Sequence, residues 1–228
     1  MTTIATWNLH HMGREIEIPE GVPAVIAHVR PDVLVLTEYV DRGKRTDFRA
    51  ALRKIGYREP VVSPQGKGQN QVLIASFAGQ QDGPLKGPTV DEAAGTNFLH
   101  RWIPSLKLNV VGFRVPHYQS EDPTKLKPYW AALGAGALEY ADAGTVYIGD
   151  FNVGTTRHDA AGRAALRKLK SAGYRMLCEE GGLDRALLSP ELRLKSFSVI
   201  EAVGNLRLTG SKTEKALSDH AMLVVEVE

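Results

Sequence analysis

The stretch Val146-Tyr147-Ile148-Gly149-Asp150-Phe151-Asn152 decides how the rest of the chain is read. Strand-favouring side chains lead into a glycine, and an aspartate and an asparagine then stand two positions apart. Side chains alternate along an extended backbone, so Asp150 and Asn152 are expected on one side, with Phe151 turned into the core. Ligands of layered α/β folds bind beyond strand ends, and a carboxylate beside a carboxamide there suits a metal–phosphate site. A strand running into an Asp/Asn turn carries the same residues and needs no ligand. What the other strands carry at their ends separates the two readings.

Upstream, residues 108–115 form a strand that runs into Pro116-His117-Tyr118, and 127–140 has helical spacing interrupted by Gly134 and Gly136. Downstream, 158–172 is an amphipathic helix whose apolar stripe uses Ala161, Ala165, Leu166 and Leu169. Its Arg163, Arg167, Lys168 and Lys170 fall outside the stripe, most simply as a solvated face, with nucleic-acid contact as the alternative. Leu183-Asp184-Arg185-Ala186-Leu187-Leu188 is a strand with an aspartate near its start. A strand at 196–200 and a polar loop at 206–215 precede Ser218-Asp219-His220, which opens the closing strand at 221–227.

Nearer the start, 3–9 reads as a strand ending in Trp7-Asn8-Leu9, followed by His10, His11, Gly13 and Arg14. A helix at 22–29 stops at Pro31-Asp32. The nearly all-apolar run at 33–38 then reads as a strand buried on both faces, with Glu38 as its first strongly polar group. A short helix at 48–55 closes on Gly56, strands are expected at 57–62 and 72–77, and 79–97 is a Gly/Pro-rich surface loop with at most one weak strand.

Composition sets the outer bounds. At 228 residues, 43% hydrophobic and 24% charged, the chain suits one large soluble domain spanning 1–228. A net charge of +2 does not by itself identify a polyanion binder. The single cysteine, Cys178, excludes an intrachain disulfide and is expected as a packed core thiol. No leader pattern or long apolar run is present, so a cytoplasmic protein without membrane insertion is expected. Alternating strands and helices, mixed with consecutive strands, predict an α/β fold of two packed mixed sheets flanked by helices.

Polar residues therefore recur where apolar strands end: Asn8, Glu38, Arg114 or His117, Asp150, Asn152, Asp184, Asp219 and His220. In this order they resemble the motifs of the endonuclease/exonuclease/phosphatase superfamily, whose fold is a four-layer α/β/β/α sandwich. Trp7-Asn8 resembles its first motif, and the resemblance implies that Asn8 helps organise a metal site. The run from Pro31 to Glu38 is similar to the second, which implies Glu38 as ligand of a divalent cation. Gly149-Asp150-Phe151-Asn152 resembles the signature whose Asp aligns or activates the attacking water and whose Asn contacts the phosphate. The motif at Asp184 implies a carboxylate supporting the catalytic histidine. Ser218-Asp219-His220 implies His220 on the scissile phosphate and Asp219 at the metal. One motif departs: the strand after residue 108 offers Arg114 where a His or Tyr is usual, with His117 three residues on.

The resemblance implies a Mg²⁺-dependent phosphoesterase, with Mn²⁺ able to substitute, and most directly a nuclease with nucleic acid as substrate, DNA favoured. A monomer is expected. His10, His11, Arg14, Lys44, Arg45, Lys67, Lys125, Lys127, Arg157 and His158 are candidates for a basic rim. That rim equally suits a phosphatase or phosphodiesterase of a small phosphorylated molecule or lipid headgroup. A catalytically inactive binding module would be expected to lack Asp150 or His220, and both are present.

Overall fold

The computed structural model describes residues 1–10, 18–43, 45–67, 69–118, 122–156, 159–210 and 215–228. His11, Arg14, Lys44, Arg157 and His158 of the expected rim lie outside these residues. Six strands form a first sheet in the order β11 (Leu194–Ile200), β14 (Met222–Val227), β1 (Thr2–Asn8), β2 (Val33–Tyr39), β4 (Gln71–Ser76) and β3 (Arg58–Val62). Six more form a second: β5 (Gln81–Asp82), β6 (Phe98–Ile103), β7 (Leu108–Arg114), β8 (Thr145–Asp150), β10 (Asp184–Leu188) and β9 (Arg175–Cys178). The β1–β2 and β7–β8 pairs are parallel and their neighbours antiparallel, so both sheets are mixed. A ribbon of β12 (Ala202–Val203) and β13 (Leu206–Arg207) precedes β14.

Three apolar clusters account for the layering. Val33, Val35, Ile74, Val110, Val146, Ile148, Ala186, Leu223 and Val225 pack between the sheets. The alternate residues Leu34, Leu36 and Trp7 face outward under helices α1 (Gly21–Val29) and α2 (Arg45–Ile55). On the far side, Val111, Phe113 and Tyr147 meet Trp130 and Leu133 of α4 (Leu126–Glu139) and Leu166 and Leu169 of α5 (Ala160–Ser171). A short helix α3 (Glu92–Thr96) leads into β6. The result is the expected four-layer α/β/β/α sandwich, each sheet buried on both faces along its central strands. No helix among the described residues is long and apolar enough to cross a membrane.

Two strands of the second sheet go beyond the sequence reading. β6 has no clean alternation because His100 and Arg101 interrupt it, yet both are buried. The His100 imidazole is held between Asn109 Oδ1 (3.0 Å) and the Leu85 N–H (3.1 Å), partners that only the folded chain supplies. The hairpin strand β9 is an exposed edge, and it leaves Cys178 half-buried at its end instead of packed in the core. Two glycines permit close approach, Gly112 to the facing sheet and Gly149 to the neighbouring strand. A Cβ on Gly112 would lie 2.7 Å from Val35 Cγ1 of the facing sheet. One on Gly149 (φ +144°) would lie 2.0 Å from the Phe113 carbonyl oxygen.

Candidate active site

Alternation along the strands explains why polar groups gather at one end of the sandwich. Inward-facing Val146 and Ile148 lead by twos to Asp150, Ile4 leads through Thr6 to Asn8, and Val110 leads through Gly112 to Arg114. Ala186 leads back to Asp184. Register completes the row, since Asp150 pairs with Arg114 on one side and with Asp184 on the other. Because β1 packs on β8 and β2 on β7, Asn8 and the end of β2 face this row from the opposite sheet.

Glu38 breaks the alternation. Leu34 and Leu36 point outward, so a regular strand would turn Glu38 into the helix layer. Instead Thr37 and Glu38 together oppose one residue of β4, a β-bulge between Leu36 and Tyr39, and Glu38 takes φ +54°. The bulge re-aims the carboxylate inward, where Arg114 Nε donates to Glu38 Oε1 at 2.9 Å. A left-handed conformation at a non-glycine residue costs about 1–2 kcal/mol and persists only where the surroundings impose it. His10 (φ +49°) and Asn152 (φ +46°) share it, so three such residues border the same site.

Asn152 departs from the sequence reading. β8 ends at Asp150, and Asn152 reaches the site through a turn instead of by strand alternation. Its backbone N–H donates to Asp150 Oδ1 at 2.9 Å, and its Nδ2 donates to the Val115 carbonyl at 2.6 Å. Asn152 thereby fixes the Asp150 rotamer and ties it to the end of β7, while Phe151 is buried as expected.

Around Asp150 the groups are close and buried. Asn8 Nδ2 donates to Asp150 Oδ2 at 3.1 Å and to Glu38 Oε1 at 3.4 Å. Its Oδ1 accepts the His10 N–H at 2.8 Å, which fixes the amide so that its NH₂ faces the carboxylates. Asn8 thus orients the two carboxylates. Arg114 Nε also lies 3.8 Å from Asp150 Oδ2. Burial pushes the Asp150 carboxyl up, and Arg114 and His220 oppose that rise. His220 Nδ1 meets Asp184 Oδ2 at 2.5 Å. Burial alone would lower the His220 pKa, but the Asp184 bond and the surrounding carboxylates outweigh it and raise it to about 9. Burial raises Asp184 to about 6, against the pull of His220. At neutral pH the pair is therefore imidazolium and carboxylate.

The remaining candidates lie further out. Asp219 is 46% exposed and binds His10 Nδ1 through Oδ2 at 2.9 Å; its Oδ1 is 3.6 Å from His220 Nε2. His117 is exposed, whereas Arg114 is buried among the carboxylates, so Arg114 is the one brought into the cluster. Of the described rim, Lys67 and Lys127 are exposed, Lys125 pairs with Asp91 and Asp122, and Arg45 is buried with its guanidinium on the Arg42 carbonyl. Two positioning residues were missed. Ser218 Oγ donates to the Asn8 carbonyl at 2.7 Å and accepts the His220 N–H at 3.1 Å, and Trp7 Nε1 donates to the His220 carbonyl at 2.9 Å. Their signal was adjacency alone: each neighbours or shares a motif with a named residue.

The model of the Endonuclease/Exonuclease/phosphatase family matches residues 5–220. The chain belongs to this family. Solved structures of the same fold include the 3′-phosphatase NExo from Neisseria bound to product DNA hairpin, at 20% identity over all of both chains with a TM-score of 0.71. The 3′–5′ exonuclease NExo from Neisseria meningitidis matches at 22% identity over 99% of each chain, TM-score 0.70. The AP endonuclease LMAP from Leishmania major matches at 14% identity over 98% of this chain and 86% of that one, TM-score 0.68. At these identities the likeness shows the fold alone. No curated protein matches the chain.

A hard divalent cation of the kind family members typically use fits the donor chemistry here, since Glu38 and Asp150 both present carboxylate oxygens to one buried space. Among the described residues no group of three His, Cys, Asp or Glu side chains could hold an ion.

Proposed function

We propose that the chain is a divalent-metal-dependent phosphoesterase that hydrolyses phosphodiester bonds in nucleic acid, DNA foremost. The observation that carries this reading is the meeting of buried Asp150 with the Arg114 cation on one side and the Asp184–His220 pair on the other. A pentavalent phosphoryl transition state gathers negative charge on its oxygens and needs an aligned water opposite the leaving group. Asp150, raised by burial toward the working pH, orients that water and takes its proton. The His220 imidazolium, held through Nδ1, leaves Nε2 to donate to a phosphoryl oxygen. Arg114 offsets the charge of Glu38 and Asp150, and Asn152 keeps Asp150 in one rotamer.

Glu38 and Asp150, steadied by Asn8, would hold the cation, while Asp219 bonds His10 further out. The ion, when bound, supplies Lewis-acid charge to the phosphoryl group. DNA is favoured because a relative of this fold is described bound to a DNA hairpin. We also take residues 1–228 to act as one domain, monomeric and cytoplasmic.

A gel assay on single-stranded, double-stranded and abasic DNA, with RNA alongside, in Mg²⁺ and in excess chelator, tests this reading. Cleavage in Mg²⁺ that is lost in chelator and in Asp150→Asn is expected. Equal cleavage in chelator would overturn the metal dependence, and no cleavage of any polynucleotide would overturn the nuclease. A small phosphoester is the second reading, favoured by a cavity of about 360 Å³ beside His220, roomy enough for a single ring.

A further inference from the structure

A larger cavity, of about 650 Å³, opens toward the other end of the sandwich. The strand registers put it there. β4 starts at Gln71, opposite Tyr39 beside Glu38, and finishes at Ser76, opposite Val33 and Arg58. β6 starts at Phe98, opposite Phe113 beside Arg114, and Arg101 lies further along it, opposite Val110. The cavity takes its lining from β3, from the turn after β4 and from β6, and shares no residue with the cavity beside His220.

Arg101 is its unusual group. Leu99 and Ile103 on either side pack into the apolar layer between the sheets, so alternation turns Arg101 inward as well. Its side chain is 7% exposed, and only Nη1 is engaged, by an Asp82 carboxylate that is 95% exposed. Nε is buried without a hydrogen-bond partner, and Nη2 bonds nothing among the described residues. These two groups form one edge of the guanidinium, the fork that takes two oxygens of one oxyanion. Arg53 in the last turn of α2 and Arg58 at the start of β3 add charge of the same sign, against Glu59 alone among the described lining residues.

Gln80 makes a second demand. Its Nε2 donates to the Glu59 and Ile74 carbonyls at 3.0 and 3.3 Å, which fixes the amide. Oε1 is then an acceptor, and it is buried with no partner among the described residues. An anion that only accepts, such as sulfate or a phosphodiester, leaves that oxygen unmade. An oxyanion that keeps an O–H satisfies it together with the arginine edge.

We propose that this cavity is a second ligand site, for a phosphate group that still carries a proton, with Arg101 holding the anion and Gln80 selecting for the O–H. Free hydrogenphosphate and the monoanion of a phosphomonoester share this chemistry. The assignment does not depend on what Asp150 and His220 catalyse.

The test follows the Val61 methyls and the Arg101 Nε–H by NMR in excess chelator, at about pH 6, where about half of a phosphomonoester keeps its proton. Four probes are added: inorganic phosphate, methyl phosphate, dimethyl phosphate and sulfate. Phosphate is expected to bind at least about tenfold more tightly than sulfate or dimethyl phosphate. Methyl phosphate binding comparably assigns the site to phosphomonoesters, and phosphate binding alone assigns it to the free ion. Gly79→Glu places a like charge on the cavity wall, where an added Cβ meets nothing within 4 Å, and should weaken phosphate more than about tenfold in a folded protein. Gln80→Met should bind phosphate no better than sulfate; if that variant does not fold, the wild-type preference and Gly79→Glu still decide. No shift with either protonated probe, sulfate or dimethyl phosphate binding as tightly, unchanged binding in Gly79→Glu, or a preference retained in folded Gln80→Met would each overturn the proposal. Hydrolysis is assayed separately, so a protein that fills this cavity yet cleaves no phosphoester would strike only the phosphoesterase reading.

Discussion

Arg114 sits 4% exposed with Nε on Glu38 and within 3.8 Å of Asp150, so it compensates two buried carboxylates at once. Arg114→Met keeps the volume and removes the charge; it is expected to cost about 3–5 kcal/mol in urea unfolding, because the acids are left facing each other. Glu38→Gln should fold, yet its rate should no longer respond to Mg²⁺ as the wild type does, since a hard cation loses its anionic ligand. The Asp184–His220 pair makes a sharper prediction. With its pKa raised from 6.5 to about 9, His220 adds stability that is complete below pH 6.5 and is lost as pH rises through about 9. Turnover should decline over the same upper range as imidazolium is lost. In Asp184→Asn the imidazole should titrate at lower pH, seen by NMR, and the rate at neutral pH should fall. His220→Ala should lower turnover by about two to four orders of magnitude, and the double variant should be little worse than His220→Ala alone. Fully multiplicative losses would show that the two act independently.

The bulge in β2 and the glycine in β8 set what each strand tolerates. Gly149→Ala is expected to destabilise by more than about 3 kcal/mol, measured by urea unfolding, because its Cβ would run into the Phe113 carbonyl at a φ of +144°. At Glu38, φ +54° reverses the usual ranking: Glu38→Gly should be more stable than Glu38→Ala by about 1 kcal/mol. Equal stabilities would mean that the backbone there carries no strain. These two positions also mark what the sequence can and cannot say. The strands through Asn8, Asp150 and Asp184 are legible because apolar runs stop at a polar residue, and the order of those stops carries the family. The bulge is not legible, since nothing in Leu36-Thr37-Glu38-Tyr39 signals an extra residue against β4. The strand β6 hides for a related reason: His100 and Arg101 look like surface until Asn109 and Asp82 are in place. Asn152 lies beside Asp150 by a turn and not by strand alternation, because the two geometries can deliver the same amide to the same place.

Across the whole molecule, the two sheets bring together residues that are far apart in sequence, with Asn8 bonded to Asp150 over 142 positions and Trp7 to His220 over 213. If the face they form takes a polynucleotide, binding by the Asp150→Asn protein should weaken steeply with salt, because several phosphates shed counterions together. A flat salt response with long DNA would count against the nuclease. Sheet order itself lay beyond the sequence, since pairing between the first and last strands is a long-range choice that local periodicity does not record. That pairing has a consequence for how the protein is made. β1 leaves the ribosome long before β14, and Thr2 to Thr6 have no β14 partner until Leu223 to Val227 emerge. Until then Asn8 has no Ser218 against its carbonyl and Asp184 no histidine. A nascent chain therefore holds Glu38, Asp150 and Asp184 before Ser218 and His220 of the closing segment exist, and the candidate site is assembled late in synthesis.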